Sequence, residues 1–157
     1  TAAVGCGAGT RGECDAIDVR VIERGPIDDV PSPDGVRTET GTADETDAAM
    51  SGTEVVFVTG SALIYGGIDG DLAAAPASAT VVVIGATASF LPEPLFDRGV
   101  DVVAGASVAD LDAVRAAVAA GACGTDLHDA GVRKVYAAAT SPAGVRLSRT
   151  DVSTPNQ

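Results

Sequence analysis

Val81-Val82-Val83-Ile84-Gly85-Ala86-Thr87-Ala88-Ser89 is the stretch on which the fold turns. Four consecutive apolar residues, instead of an alternation with polar ones, describe a strand buried on both faces, as in a parallel sheet covered by helices on each side. The glycine and hydroxyls that follow describe a tight loop at the strand's carboxyl end. Working outward, β-branched runs at residues 2–4, 19–22, 55–58, 102–104 and 132–137 give five or six strands with residues 81–84. Between them residues 110–120 predict a helix, with Leu111, Val114 and Val118 on one face, Asp110 as cap and Gly121 as stop. Residues 62–75, interrupted at Gly66-Gly67, and residues 92–98, bounded by Gly99, predict weaker helices. Residues 25–41 read as a long surface loop before a short segment at 44–50. Alternating strands and helices with right-handed crossovers lead to an α/β fold. The expected form is a Rossmann-like, doubly wound, mostly parallel sheet in three layers, α/β/α. One domain over residues 1–140 and a polar tail over 141–157 are expected.

Composition narrows the partners. Among 157 residues, 46% are apolar, enough for one core, but only 3% are aromatic and none is Trp, so Ala, Val and Gly must do the packing. Twenty-two acidic residues oppose ten basic ones, nine of them Arg with Lys134 alone, for a net charge of −12. Such a surface repels itself until salt screens it, which suits a salt-adapted, cytoplasmic protein. It excludes nucleic acid and anionic membranes as main partners, and no run of 18 apolar residues is present. Cys6, Cys14 and Cys123 show no metal-knuckle spacing and read as free thiols.

In doubly wound sheets, ligands sit outside the carboxyl ends of the strands where the strand order reverses. A Rossmann order puts that point between the first strand and residues 81–84. The candidate ligand-binding residues are therefore in the loops there. Gly5, Gly7 and Gly9 form a G-x-G-x-G run after the first strand, allowing close approach of backbone to a ligand, and Glu23 ends the second strand 18 residues beyond Gly5. A carboxylate at that place can accept hydrogen bonds from ribose hydroxyls. Thr59, Gly60 and Ser61 follow residues 55–58, with Ser61 either binding a polar group or serving as a helix cap. Gly85 and Thr87 repeat the arrangement after residues 81–84.

No catalytic acid–base pair is legible. His128 reads as a surface or packing residue, and Cys6 as a small buried side chain or a reactive thiol activated by its loop. The site is thus compatible with a nucleotide-like ligand or a divalent transition metal, and the residues do not decide whether a reaction is catalysed.

An ordered series of motifs carries a resemblance. It runs through Val21-Ile22-Glu23-Arg24-Gly25-Pro26, Thr59-Gly60-Ser61-Ala62-Leu63-Ile64 and Val82-Val83-Ile84-Gly85-Ala86-Thr87, then Leu95-Phe96, Gly99-Val100-Asp101 and Gly131-Val132-Arg133-Lys134-Val135. The chain resembles the putative heavy-metal chelation family over most of residues 1–138. The resemblance implies a Rossmann-like domain, in that family usually preceded by a smaller domain similar to an enolase N-terminal domain, with a site inferred between the two. With a first strand beginning at Thr1, a short form without that domain is expected, one that needs a partner domain or a homo-oligomer to complete the site. Tyr65-Gly66-Gly67 also stands where the family carries an Asn, a small residue and a Thr. Loss of that amide's donor and acceptor alters the ligand chemistry. Three functions follow: a domain binding a small molecule or metal complex, in metal or cofactor handling; an enzyme using a nucleotide-like cofactor such as S-adenosylmethionine; or an interaction subunit.

Overall fold

A computed structural model describes residues 1–8, 14–25, 30 and 32–140; the expected tail, Gly9 and Pro26 lie outside them. Seven strands form one mixed sheet: β1 (Ala2–Ala8), β2 (Cys14–Glu23), β3 (Val36–Thr42), β4 (Val55–Thr59), β5 (Thr80–Ile84), β6 (Val102–Val108) and β7 (Val132–Ala138). Their order is β3-β2-β1-β4-β5-β6-β7. β2 pairs parallel to β3, and β4, β5 and β6 run parallel to one another. β1 is antiparallel to both its neighbours, and β7 closes the far edge antiparallel to β6.

Three expectations are thereby corrected. The sheet has seven strands, not five or six, and it is mixed, because β1 forms a hairpin with β2 in place of a crossover. The order β3-β2-β1-β4-β5-β6 is that of a Rossmann sheet with β7 added, but once β3 is counted the place beside β1 falls to β4 and not to residues 81–84, and β1 itself runs antiparallel to both neighbours. The supposed loop over residues 25–41 holds most of β3. There Val36, Thr38, Thr40 and Thr42 alternate with Arg37, Glu39 and Gly41, the period of a half-buried strand.

The helices fall close to the expected places. α1 (Thr46–Met50) follows a 3-10 turn at Ala43–Glu45. Gly66 and Gly67, at φ +81° and +101°, adopt the left-handed backbone that other residues avoid and divide residues 62–75 into α2 (Ala62–Tyr65) and α3 (Ile68–Ala74). α4 (Glu93–Phe96) and α5 (Leu111–Ala119) follow. Asp110 caps α5 by accepting from the Ala113 amide.

One core fills one side of the sheet. Ala3, Val56, Val58, Val81, Val83 and Val103 meet Met50 of α1, Ala62 of α2, Ile68 of α3 and Leu95 of α4. Burial along β5 alternates, with Val83 at 0% exposure and Ile84 at 45%. The apolar run at residues 81–84 is therefore covered on one face only among the described residues, contrary to the reading from its sequence. α5 has no buried residue, and Leu111 and Val118 on its apolar stripe stand exposed. No helix among the described residues is long and apolar enough to cross a membrane.

Candidate functional site

A cleft of ≈ 510 Å³ opens at the carboxyl ends of β2, β3 and β4. Because β1 runs the other way, its amino end, Thr1, reaches the same edge. The Thr1 backbone pairs with Ile22 in both directions, and its hydroxyl donates to Asp71 at 2.6 Å. Glu23 and Arg24 leave β2 here, Asp44, Thr46 and Asp47 follow β3, and Thr59 and Ser61 follow β4. Tyr65 of α2 and Asp71 of α3 complete the wall.

Arg24 ties the two sides together. Its guanidinium donates to the Tyr65 carbonyl at 2.9 Å and to the Gly66 carbonyl, filling acceptors left open where α2 ends. Thr59 and Ser61 hydroxyls lie 3.1 Å apart. Ser61 makes no capping bond, so the helix-cap alternative is not realised. Glu45 stands just outside the cleft. Its carboxyl is held below the usual glutamate range by the Thr42 amide and then the Thr42 hydroxyl, which both donate to it, against a small opposing effect of burial.

The structure brings three of the expected ligand residues to this cleft: Glu23, Thr59 and Ser61. Gly60, Gly85 and Thr87 lie just behind them. A Cβ on Gly60 would fall 2.6 Å from Thr87 Oγ1, so the β4 and β5 loops touch, but Thr87 does not line the cleft. Gly5 and Gly7 are not brought there. They sit within β1, opposite Asp18 and Ala16, and Gly7 is thus seven positions below Glu23. At 3.3 Å per residue that is roughly 23 Å down the sheet. A Cβ on Gly5 would meet only ordinary contacts at 3.6 Å. Gly5 and Gly7 are strand positions, and the antiparallel pairing of β1 with β2 keeps them from the cleft edge.

Arg24, Tyr65, Asp71 and the Asp44, Thr46 and Asp47 group were missed. The last group was legible in principle, since the alternation at residues 36–42 marks a strand whose carboxyl end falls there. Cys6, paired with Ile17, and Cys14, paired with Ala8, also stand toward the opposite edge. Cys123 is exposed. His128 lies before β7, its Nδ1–H donating to the Val132 carbonyl at 2.8 Å. Among the described residues no three His, Cys, Asp or Glu side chains group closely enough to hold a metal ion.

The model of DUF364, described as putative heavy-metal chelation, matches residues 15–137. The chain belongs to this family. Two solved DUF364 structures are similar, both of proteins titled as having unknown function. One, from Pyrococcus horikoshii, has 18% identity and a TM-score of 0.56 over 66% of this chain and 46% of its own. The other, from Desulfitobacterium hafniense, has 16% identity and a TM-score of 0.56 over 79% of this chain and 53% of its own. At these identities the likeness shows the fold, and the chain spans about half the length of either structure. No curated protein matches the chain.

Proposed function

We propose that this DUF364 domain binds a small cationic ligand, such as a metal already held in a complex, in the cleft at the carboxyl edge of β2 and β4, acting in the cytoplasm of a salt-adapted cell. The observation that carries the reading is the balance of charge in that cleft. Among the lining side chains Glu23, Asp44, Asp47 and Asp71 supply four carboxylates, and Arg24 one guanidinium, a formal −3 for the side chains. That guanidinium is already engaged by two carbonyls. A phosphate-bearing ligand meets repulsion here, whereas a cation with N–H or O–H donors finds acceptors and the hydroxyls of Thr46, Thr59 and Ser61. A metal arriving bare lacks a preformed set of three protein donors; one arriving in a complex brings its own.

Hexaamminecobalt(III), an inert cationic complex with N–H donors, is a suitable probe, measured by calorimetry beside free nickel and zinc ions, S-adenosylmethionine and a nicotinamide dinucleotide. The cobalt complex should bind, and Glu23→Gln should weaken it about 10- to 150-fold, the loss of about 1.5–3 kcal/mol for a hydrogen bond to a charged group. Cys6→Ser should change nothing, because Cys6 stands toward the far edge. No binding of the complex, or binding indifferent to Glu23→Gln, rejects the reading. The second reading, a nucleotide-like cofactor, keeps one support, the carboxylate at the end of β2 where a ribose would be held. It predicts dinucleotide or S-adenosylmethionine binding that Glu23→Gln abolishes while the cobalt complex stays unbound.

A further inference from the structure

We infer that the uncovered face of the sheet is the interface of a homodimer, two copies packing sheet against sheet. Residues directly opposite in register share a face, so Val21, Ala2, Phe57, Val82, Val102 and Ala138 form one row across six strands, in which Val102 is already buried within the chain. Thr59, Ile84, Ala104 and Tyr136 form the next row. α1 to α4 pack on the other side, through Met50, Ala62, Ile68 and Leu95. On the uncovered side the large side chains Ile17, Phe57, Ile84, Val108 and Tyr136 are between 36% and 51% exposed. Single exposed apolar residues need no explanation, but a contiguous apolar strip does, above all where it crosses the parallel strands β4, β5 and β6, because parallel strands are normally covered on both faces. The four consecutive apolar residues of β5 are what a strand carries when both its faces are buried.

Charge argues that the cover is a second copy. The chain carries −12, so two copies approach only along a surface free of carboxylates. On this face, over residues 17–23 of β2 and along β1 and β4 to β7, the charges are Glu23, at the cleft rim, and Lys134, on the edge strand and opposite in sign to the approaching copy. The strip has the needed extent. Six strands at ~4.8 Å by about five residues at ~3.3 Å give roughly 500 Å² in projection. A corrugated side-chain surface exposes more than its projection, which reaches the low end of the roughly 600–1,000 Å² per partner that specific dimers bury. Large Phe57, Ile84 and Tyr136 beside small Ala2, Ala104 and Ala138 provide knobs and gaps for aligned sheet packing about a two-fold axis.

The mass in solution decides it, independently of any ligand. Light scattering on the whole chain at about 100 μM should give twice 15.4 kDa, with the dimer fraction rising from ~0.1 to ~1 M salt as screening removes the residual repulsion. Ile84→Asp should give the single-chain mass with an unchanged far-ultraviolet spectrum. Ile64→Asp, on α2 and away from the strip, should remain dimeric. Should Ile84→Asp fail to fold, the wild type decides alone: a mass near 15.4 kDa at both salt concentrations overturns the inference and leaves the face to a different chain. A folded, dimeric Ile84→Asp overturns it equally.

Discussion

Gly60→Ala tests how the cleft is held. Gly60 lies between Thr59 and Ser61, and a Cβ added there would stand 2.6 Å from Thr87 Oγ1, 2.8 Å from the Ala88 amide nitrogen and 3.2 Å from the Ala88 Cβ. The Thr87 hydroxyl can swing aside; the Ala88 amide cannot, since it donates to the Gly85 carbonyl at 2.9 Å. Gly60 is pinned too, its own amide donating to the Ile84 carbonyl at 2.7 Å. Two hydrogen-bonded backbones would have to part by several tenths of an ångström, an overpacking cost of about 1–3 kcal/mol. At about 2–4 °C per kcal/mol for a chain of this size, the melting temperature should fall by roughly 2–12 °C. Thr87→Ala in the same chain should recover part of the loss and not all, because it removes the hydroxyl and leaves the amide. Gly70→Ala serves as control: it meets nothing within 4 Å inside α3 and should stabilise by about 0.5–1 kcal/mol. A Gly60→Ala melt within about a degree of the parent, or full recovery with Thr87→Ala, would refute backbone contact between the two loops.

Raising monovalent salt from ~0.1 to ~1 M should raise the melting temperature, because the excess of 22 acidic over 10 basic residues repels itself; a flat or falling series sinks the idea. Nuclear magnetic resonance titration should place the Glu45 midpoint below that of an ordinary glutamate. A carboxyl with a depressed folded pKa stabilises the fold above its unfolded pKa and loses that contribution as pH falls through the folded value. Thr42→Val should return only part of the shift, since the Thr42 amide stays, and an ordinary midpoint in the parent would contradict the capping geometry. Asp110→Ala should cost α5 about 0.5–2 kcal/mol and speed exchange of its amides about 2- to 30-fold while the global melt hardly moves, because the helix has no buried residue; an equal slowing or acceleration in the central strands would argue against a locally opening helix.

How much of this was legible depends on what each residue pattern encodes. Strand existence is local: β-branched runs marked six of seven strands within a few residues, and Asp110 and Gly121 bounded α5 closely. Strand direction is not local. The run at residues 2–4 reads the same whether the chain then crosses over or turns back, and the glycines at 5 and 7 fit a loop as well as a strand in a hairpin. β3 escaped because its Thr and charged residues resemble a polar loop in composition while alternating as a strand does.

For the cleft, one antiparallel strand decides which of the expected residues come together. A residue at the carboxyl end of β2 or β4 stays at that edge whatever β1 does, so Glu23, Thr59 and Ser61 line one cleft there. Gly5 and Gly7 depend on the direction of β1, and reversing it carries them down the sheet and brings Thr1 up in their place. The same reversal removes Gly5 and Gly7 from the carboxylate edge, and with them the feature that most favoured a nucleotide-like ligand. What remains at that edge is a set of carboxylates and hydroxyls, most of them on elements that the sequence did not mark. The proposal of a cationic ligand in place of an anionic one thus rests on a single change in chain direction.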